Sequence, residues 1–136
     1  VEAATDFGLA YGMAFQVVDD ILDLTATDEQ LGKPSGHDLI EGVYTLPVLR
    51  TLGAAGPGAD RLRDLFGRPI SHDEMDEARG IVRAGDGPAQ ALDVAAAYVD
   101  EAVAAIEPLG TGAARDALAG AARHLLVTPT ELLAAY

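Results

Sequence analysis

Phe15-Gln16-Val17-Val18-Asp19-Asp20-Ile21-Leu22-Asp23 places three carboxylates, spaced Asp-Asp-x-x-Asp, inside a segment that otherwise reads as a buried apolar helix. At about 100° per residue, Gly8, Gly12, Gln16, Asp19, Asp20 and Asp23 fall within one arc of about 120°. The other positions from Phe7 to Leu24 are apolar almost all round. A helix of that kind is expected to be buried, so its acidic stripe is expected to face a polar cavity, a cation or both. Three carboxylates within two turns repel one another, and hard divalent cations bound through oxygen relieve that repulsion.

Aspartate occupies 14 of the 136 positions, so the spacing alone would arise by chance roughly one time in seven. The surroundings carry the argument. The acids lie in the most apolar stretch of the chain, and no Lys or Arg between Val1 and Gly32 neutralises them. The two glycines on the same arc each cost a helix about 1 kcal/mol relative to Ala. That cost makes sense where a ligand or another helix comes close.

Composition bounds the class. The chain is one domain's worth of sequence with 49% hydrophobic residues, enough for a core. It has no cysteine, hence no disulfide framework and no thiolate–metal chemistry. The net charge of −13 argues against nucleic acid and anionic membrane surfaces as partners. No apolar run reaches the length of a transmembrane helix and no signal peptide is visible, so a cytoplasmic location is expected. The chain opens mid-helix without a methionine, as a fragment would.

The coarse reading is all-helical. A first helix over about 3–24 is followed by a polar loop from Thr25 to His37 with turn signals at Gly32, Pro34 and Gly36. A second helix is expected over about 39–52, with Asp38 at its cap and Pro47 imposing a kink or a late start. Residues 53–58 read as a loop and 59–66 as a short helix. Ser71-His72-Asp73-Glu74 is a capping box that opens a helix to about Ala84. Pro88 suits the start of a helix over about 88–107. After Pro108–Gly112 a last helix is expected over about 113–127, stopping before Thr128-Pro129. The Ala-rich runs are helix formers rather than a disordered tract.

Beyond the acidic helix the pattern continues as Gly32-Lys33-Pro34-x-Gly36-x-Asp38, then Glu41-Gly42 and Thr45-Leu46-Pro47. With Gly8-x-x-x-Gly12-x-x-Phe15-Gln16-x-x-Asp19-Asp20-x-x-Asp23, this closely resembles the trans-isoprenyl (polyprenyl) diphosphate synthases, in their second aspartate-rich region and the segment immediately C-terminal to it. The resemblance covers about residues 5–50. Residues 51–136 are compatible with the Ala-rich C-terminal helices of that family but carry no motif of it. The implied architecture is the C-terminal portion of an isoprenoid-synthase helical bundle, one all-helical piece over 1–136.

The resemblance implies a chemistry. Enzymes of this family join an allylic diphosphate to isopentenyl diphosphate, head to tail, with Mg2+ as cofactor. Diphosphate leaves the allylic carbon, the isopentenyl double bond attacks the resulting cation, and a proton is lost. The leaving group's charge must be neutralised, which is electrostatic and metal catalysis. Asp19 and Asp23, four apart on one face, are then the expected Mg2+ ligands, with Asp20 acting through water or behind them. Bound Mg2+ would invert the local sign of an acidic site whose substrates are themselves anions. Lys33 is expected to approach the diphosphate as a point charge. Gln16 and Phe15 resemble residues near the isopentenyl or allylic chain. Asp38 is placed either to orient Lys33 or only to cap the next helix. Tyr11 and Tyr44 read as packing residues, and His37, His72 and His124 have no ligand spacing with one another. A homodimer is what the family implies for a full-length enzyme.

Two departures limit the resemblance. The family pattern carries Lys after Glu-Gly, where this chain has Val43, removing one expected contact to diphosphate. The first aspartate-rich motif and the upstream Lys and Arg elements are absent from these 136 residues. A site that clamps diphosphate between two opposing helices is not complete with one of them, so the chain alone is expected not to catalyse. The alternative is a non-catalytic partner subunit or remnant that pairs with a catalytic chain, against which the intact acidic motif, Gln16 and Lys33 argue. A terpene cyclase shares the metal-triggered ionisation but not the Gly32-to-Pro47 pattern, and ranks last.

Overall fold

In the computed structural model, which covers all of residues 1–136, the long first helix runs Glu2–Thr25 (α1). Two single-turn helices come next, Asp28–Leu31 (α2) and His37–Ile40 (α3), then Leu46–Gly53 (α4) and Pro57–Leu65 (α5). His72–Ala84 (α6) and Gly87–Ala105 (α7) lead through a 3-10 turn, Glu107–Leu109, to Ala113–His124 (α8) and Val127–Ala134 (α9). There is no strand, so the chain is all-α as expected.

The Ala-rich runs are the contact surface of the two longest helices. Ala10 and Ala14 of α1 meet Val99 and Ala102 of α7, while Val17, Val18 and Ile21 meet Ala91 and Ala95, all buried. Short side chains on both partners let the axes approach closely, and Ile21 and Ala95 are wholly enclosed. A second core, of Leu24, Leu39, Val48, Leu62, Leu65, Met75, Ala78 and Val82, gathers α3 to α6 around the C-terminal end of α1. The end that carries the acids is therefore the end most firmly embedded.

The C-terminal turn of α1 is closed by cations. Arg83 donates from Nε to Leu24 O at 2.6 Å and from Nη2 to Ala26 O at 3.4 Å, and Arg79 Nη2 donates to Ala26 O at 3.3 Å. Two guanidiniums at the negative end of a 24-residue helix satisfy carbonyls that the helix itself leaves unpaired. Tyr136 adds its hydroxyl to Thr25 O, with Arg83 lying 5.8 Å above its ring.

Four expectations need correction. Asp38 caps nothing: α3 begins at His37 behind Gly36, and the helix expected over 39–52 is split in two. Pro47 is the reason, because it lacks an N–H and clashes one turn back. The chain therefore turns at Gly42 (φ 77°) and restarts at Leu46 with Pro47 in the first turn. The loop from Thr25 to His37 contains α2, capped reciprocally by Thr27 and Gln30. Thr128-Pro129 does not end the fold, since Pro129 sits buried in the first turn of α9. Finally, α1 is not buried all round. Leu9, Met13 and Phe15 are exposed at 67%, 49% and 53%, because α4, α6, α7 and α9 cover only the opposite side.

Candidate functional site

α1 carries the acids on one stripe and the segment between α2 and α3 lies alongside it. That segment is held in shape by local bonds. Asp28 Oδ1 accepts the backbone N–H of Ser35 at 2.8 Å and also its hydroxyl, closing the chain between α2 and the Lys33-Pro34 corner. Both bonds hold the Asp28 carboxyl below its usual range. Gly32 (φ 68°) ends α2 in the left-handed region, and Gly36 (φ 72°) turns the chain again, its N–H donating to Asp23 O at 2.9 Å. Lys33 is thereby set opposite the stripe, with Nζ 3.8 Å from Asp19 Oδ1. Both side chains are about half exposed, so the pair itself contributes little to stability and stays available to a ligand.

The other two carboxylates sit in different surroundings. Asp20 Oδ1 accepts from Gln16 Nε2 at 3.0 Å. Burial pushes its pKa up, Gln16 pulls it down, and the charges of Asp38, Asp19 and Asp23 push it up again. Asp23 is only 4% exposed and its Oδ2 has no hydrogen-bond partner. Burial and then the charge of Asp38 raise its pKa, while the backbone N–H of Asp38, Lys33 and the N–H of Gly36 act in the opposite direction. Asp38 thus joins the acidic group from α3 without pairing with Lys33, so neither of its two expected roles is the observed one. Beyond the effect of burial, the charge of Asp38 raises the pKa of both Asp20 and Asp23, and the buried Oδ2 of Asp23 lacks a donor.

No three His, Asp or Glu side chains are gathered tightly enough to hold a metal ion by themselves. The donor set is nevertheless all hard oxygen, and an unpartnered buried carboxylate oxygen fits a divalent cation that completes its shell with water and ligand oxygens. Phe15 is exposed and lines an open groove of about 260 Å³ with Val18, Leu22 and Leu125, whose polar members are Asp19, His124 and Thr128. A larger cavity of about 500 Å³, bordered by Arg83, Pro88, Leu133 and Tyr136, lies behind the C-terminal end of α1 and holds no carboxylate.

Tyr44 packs as expected, stacked on Phe66 at 4.6 Å, and His37 pairs with Glu41 at 3.1 Å on the surface. The sequence reading missed Asp28 and Ser35, whose bond spans seven residues and has no motif. It also missed Arg79 and Arg83. Their spacing of four on α6 puts both on one face, a legible cue to a shared target.

Known proteins match this chain along the same lines. Nonaprenyl diphosphate synthase of Mycobacterium tuberculosis is 43% identical over 103 residues, 75% of this chain and 31% of that protein. Heptaprenyl diphosphate synthase component 2 of Bacillus subtilis is 34% identical over 88% of the chain and 34% of its own length. Among solved structures, polyprenyl synthase from Caulobacter crescentus CB15, complexed with calcium and isoprenyl diphosphate, superposes with a TM-score of 0.85 at 35% identity. That match covers 92% of this chain and 39% of the other. The chain therefore spans about a third of the length of the curated relatives it matches. The sequence profile of polyprenyl synthetase matches residues 1–82, well over half of the chain and all of the acidic stripe and its loop, and the protein belongs to that family.

Proposed function

We propose that this chain supplies one wall of the active site of a polyprenyl diphosphate synthase, which lengthens an allylic diphosphate by head-to-tail condensation with isopentenyl diphosphate. The observation that carries the reading is the pairing of the α1 stripe with its loop. Asp19, Asp20 and Asp23 stand on one face, Lys33 reaches Asp19, and Asp23 keeps a buried oxygen free. Asp19 and Asp23 would hold Mg2+, with Asp20 oriented behind them by Gln16. Mg2+ bound there supplies the charge neutralisation that lets diphosphate leave. Lys33 adds a cation on the loop side, and Phe15 presents an apolar ring next to the acids where a prenyl chain leaves the diphosphate. Val43 leaves Lys33 as the cation of this loop. The wall with the family's first aspartate-rich motif is not in these residues, so the isolated chain binds but does not turn over, and the complete enzyme is a homodimer in the cytoplasm.

A second reading, a subunit that works with a separate catalytic chain, is favoured by one finding: the Bacillus subtilis relative is named as a component of its enzyme. A chimera separates the two. This chain replaces the matching region of the Mycobacterium tuberculosis synthase, and incorporation of labelled isopentenyl diphosphate is monitored with and without Mg2+. Mg2+-dependent incorporation is expected, falling at least ~100-fold with Asp19→Asn or Asp23→Asn. A chimera that folds but incorporates nothing rejects the catalytic reading and leaves the subunit one.

A further inference from the structure

The Gly36 corner is held from behind by a side chain that belongs to neither the acidic stripe nor its loop. A Cβ at Gly36 would lie 2.7 Å from Met75 Sδ and 2.8 Å from Arg79 Cδ, so the stem of Arg79 presses directly on the backbone there. The Arg79 side chain is 12% exposed. Its Nη2 reaches Ala26 O, but its Nε has no partner, just as Asp23 Oδ2 has none. The unpartnered Arg79 Nε lies 3.3 Å from the Gly36 Cβ position, and the Gly36 N–H donates to the backbone oxygen of Asp23.

Apolar packing does not explain this arrangement, because Met75 already fills the space against Gly36. A buried guanidinium is costly unless its charge is used. Desolvation and the neighbouring Arg83 push its pKa down, and the carboxylates of Asp76, Asp28 and Asp23 push it back. Lys33, the other cation near the stripe, is more than half exposed and free to move toward a ligand. Arg79 instead pairs with Asp76 at 3.8 Å and donates to Ala26 O, which fixes its stem against the Gly36 corner.

We propose that Arg79 is the positioning residue of this site. It clamps the Gly36 corner onto the C-terminal turn of α1, so that Lys33 stands opposite Asp19 before a ligand arrives. The role assigned to Lys33 rests on the function proposed above.

The test uses the chain itself with Arg79→Met, Arg79→Lys and Arg83→Met. Arg83 bonds to Leu24 O and Ala26 O, whereas the atoms nearest the Gly36 position belong to Met75 and Arg79, so the Arg83 variant reports a loss of the bonds at the same helix end. Three quantities are read: thermal midpoint, amide exchange of Lys33 to Asp38, and calorimetric affinity for inorganic diphosphate with Mg2+. Arg79→Met is expected to speed exchange of those amides and to weaken binding about 10-fold or more, with Arg79→Lys recovering part of the binding. Arg83→Met is expected to lower the midpoint and leave loop exchange and affinity near the parent values. Equal exchange and affinity in Arg79→Met and parent would overturn the proposal, as would an Arg83→Met variant that loosens the loop just as much. Should Arg79→Met not fold, Arg79→Lys, which keeps a charge but loses the fork, decides by the same two readouts. If the parent chain itself fails to bind diphosphate, the functional reading falls while loop exchange still decides what Arg79 holds.

Discussion

Gly87 and Gly12 are both helical glycines, and alanine is expected to act on them in opposite directions. A Cβ at Gly87 would stand 2.1 Å from Thr51 Oγ1 and 2.3 Å from Pro47 O, where α7 starts against α4. Gly87→Ala should lower stability by about 2–3 kcal/mol, read as a fall in urea midpoint at constant m. A Cβ at Gly12 meets nothing within 4 Å, so Gly12→Ala should raise stability by up to ~1 kcal/mol. The sequence marks Gly12 as costly in a helix and gives no sign that Gly87 is needed for packing, because the close approach at Gly87 comes from a separate helix well upstream in the chain. Asp23 is a sharper case. Its raised pKa means the folded state favours the protonated acid. The charge's penalty is therefore absent at pH below the unfolded value, grows as pH rises through it, and is complete above the folded one. Asp23→Asn should stabilise the chain by about 1 kcal/mol at pH 7 and by nothing near pH 3, measured by urea unfolding at both. A destabilised variant at pH 7 would show that the buried carboxylate is already satisfied.

At the scale of elements, helix starts are legible in the sequence and the consequences of proline only half so. The Ser71–Glu74 capping box forms as read, with the Glu74 N–H donating to Ser71 Oγ at 3.2 Å and the Ser71 N–H to Glu74 Oε2 at 3.0 Å. Ser71→Ala should cost about 1 kcal/mol of global stability. Arg68 also grips Glu74 and, with the Ser71 bonds, holds its pKa down to about 2. That contribution is complete above the ordinary Glu value and is lost as pH falls toward about 2, so α6 should fray in acid before α7 does, as amide exchange would show. Pro88 starts α7 as expected, whereas Pro129 reads as a stop and in fact begins α9. A proline ends one helix and opens the next by the same missing N–H. The sequence alone does not separate these when only two residues, Leu125 and Leu126, lie between them. The acidic stripe is legible because helical period and residue type suffice for it. Its supports at Asp28, Ser35, Arg79 and Arg83 are not, because they depend on how distant elements meet.

At the scale of the whole molecule, no helix is long and apolar enough to cross a membrane, yet α1 leaves Leu9, Met13 and Phe15 in water along one side. The chain is expected to self-associate at micromolar concentration, and the paired change Leu9→Gln with Met13→Gln to shift sedimentation toward monomer. Added Mg2+ should raise the thermal midpoint more than KCl of equal ionic strength, with Asp23→Asn abolishing the excess. An equal rise with both salts would reduce the effect to screening of the −13 net charge. The Asp28–Ser35 bond has a kinetic meaning as well. A loop already fastened on both sides of Lys33 has its conformational entropy removed at folding, so an arriving anion waits for no closing motion. Encounter then limits its association, and encounter is slowed by repulsion from the acidic surface. Unlike the usual electrostatically steered ligand, this one should arrive faster as salt is added.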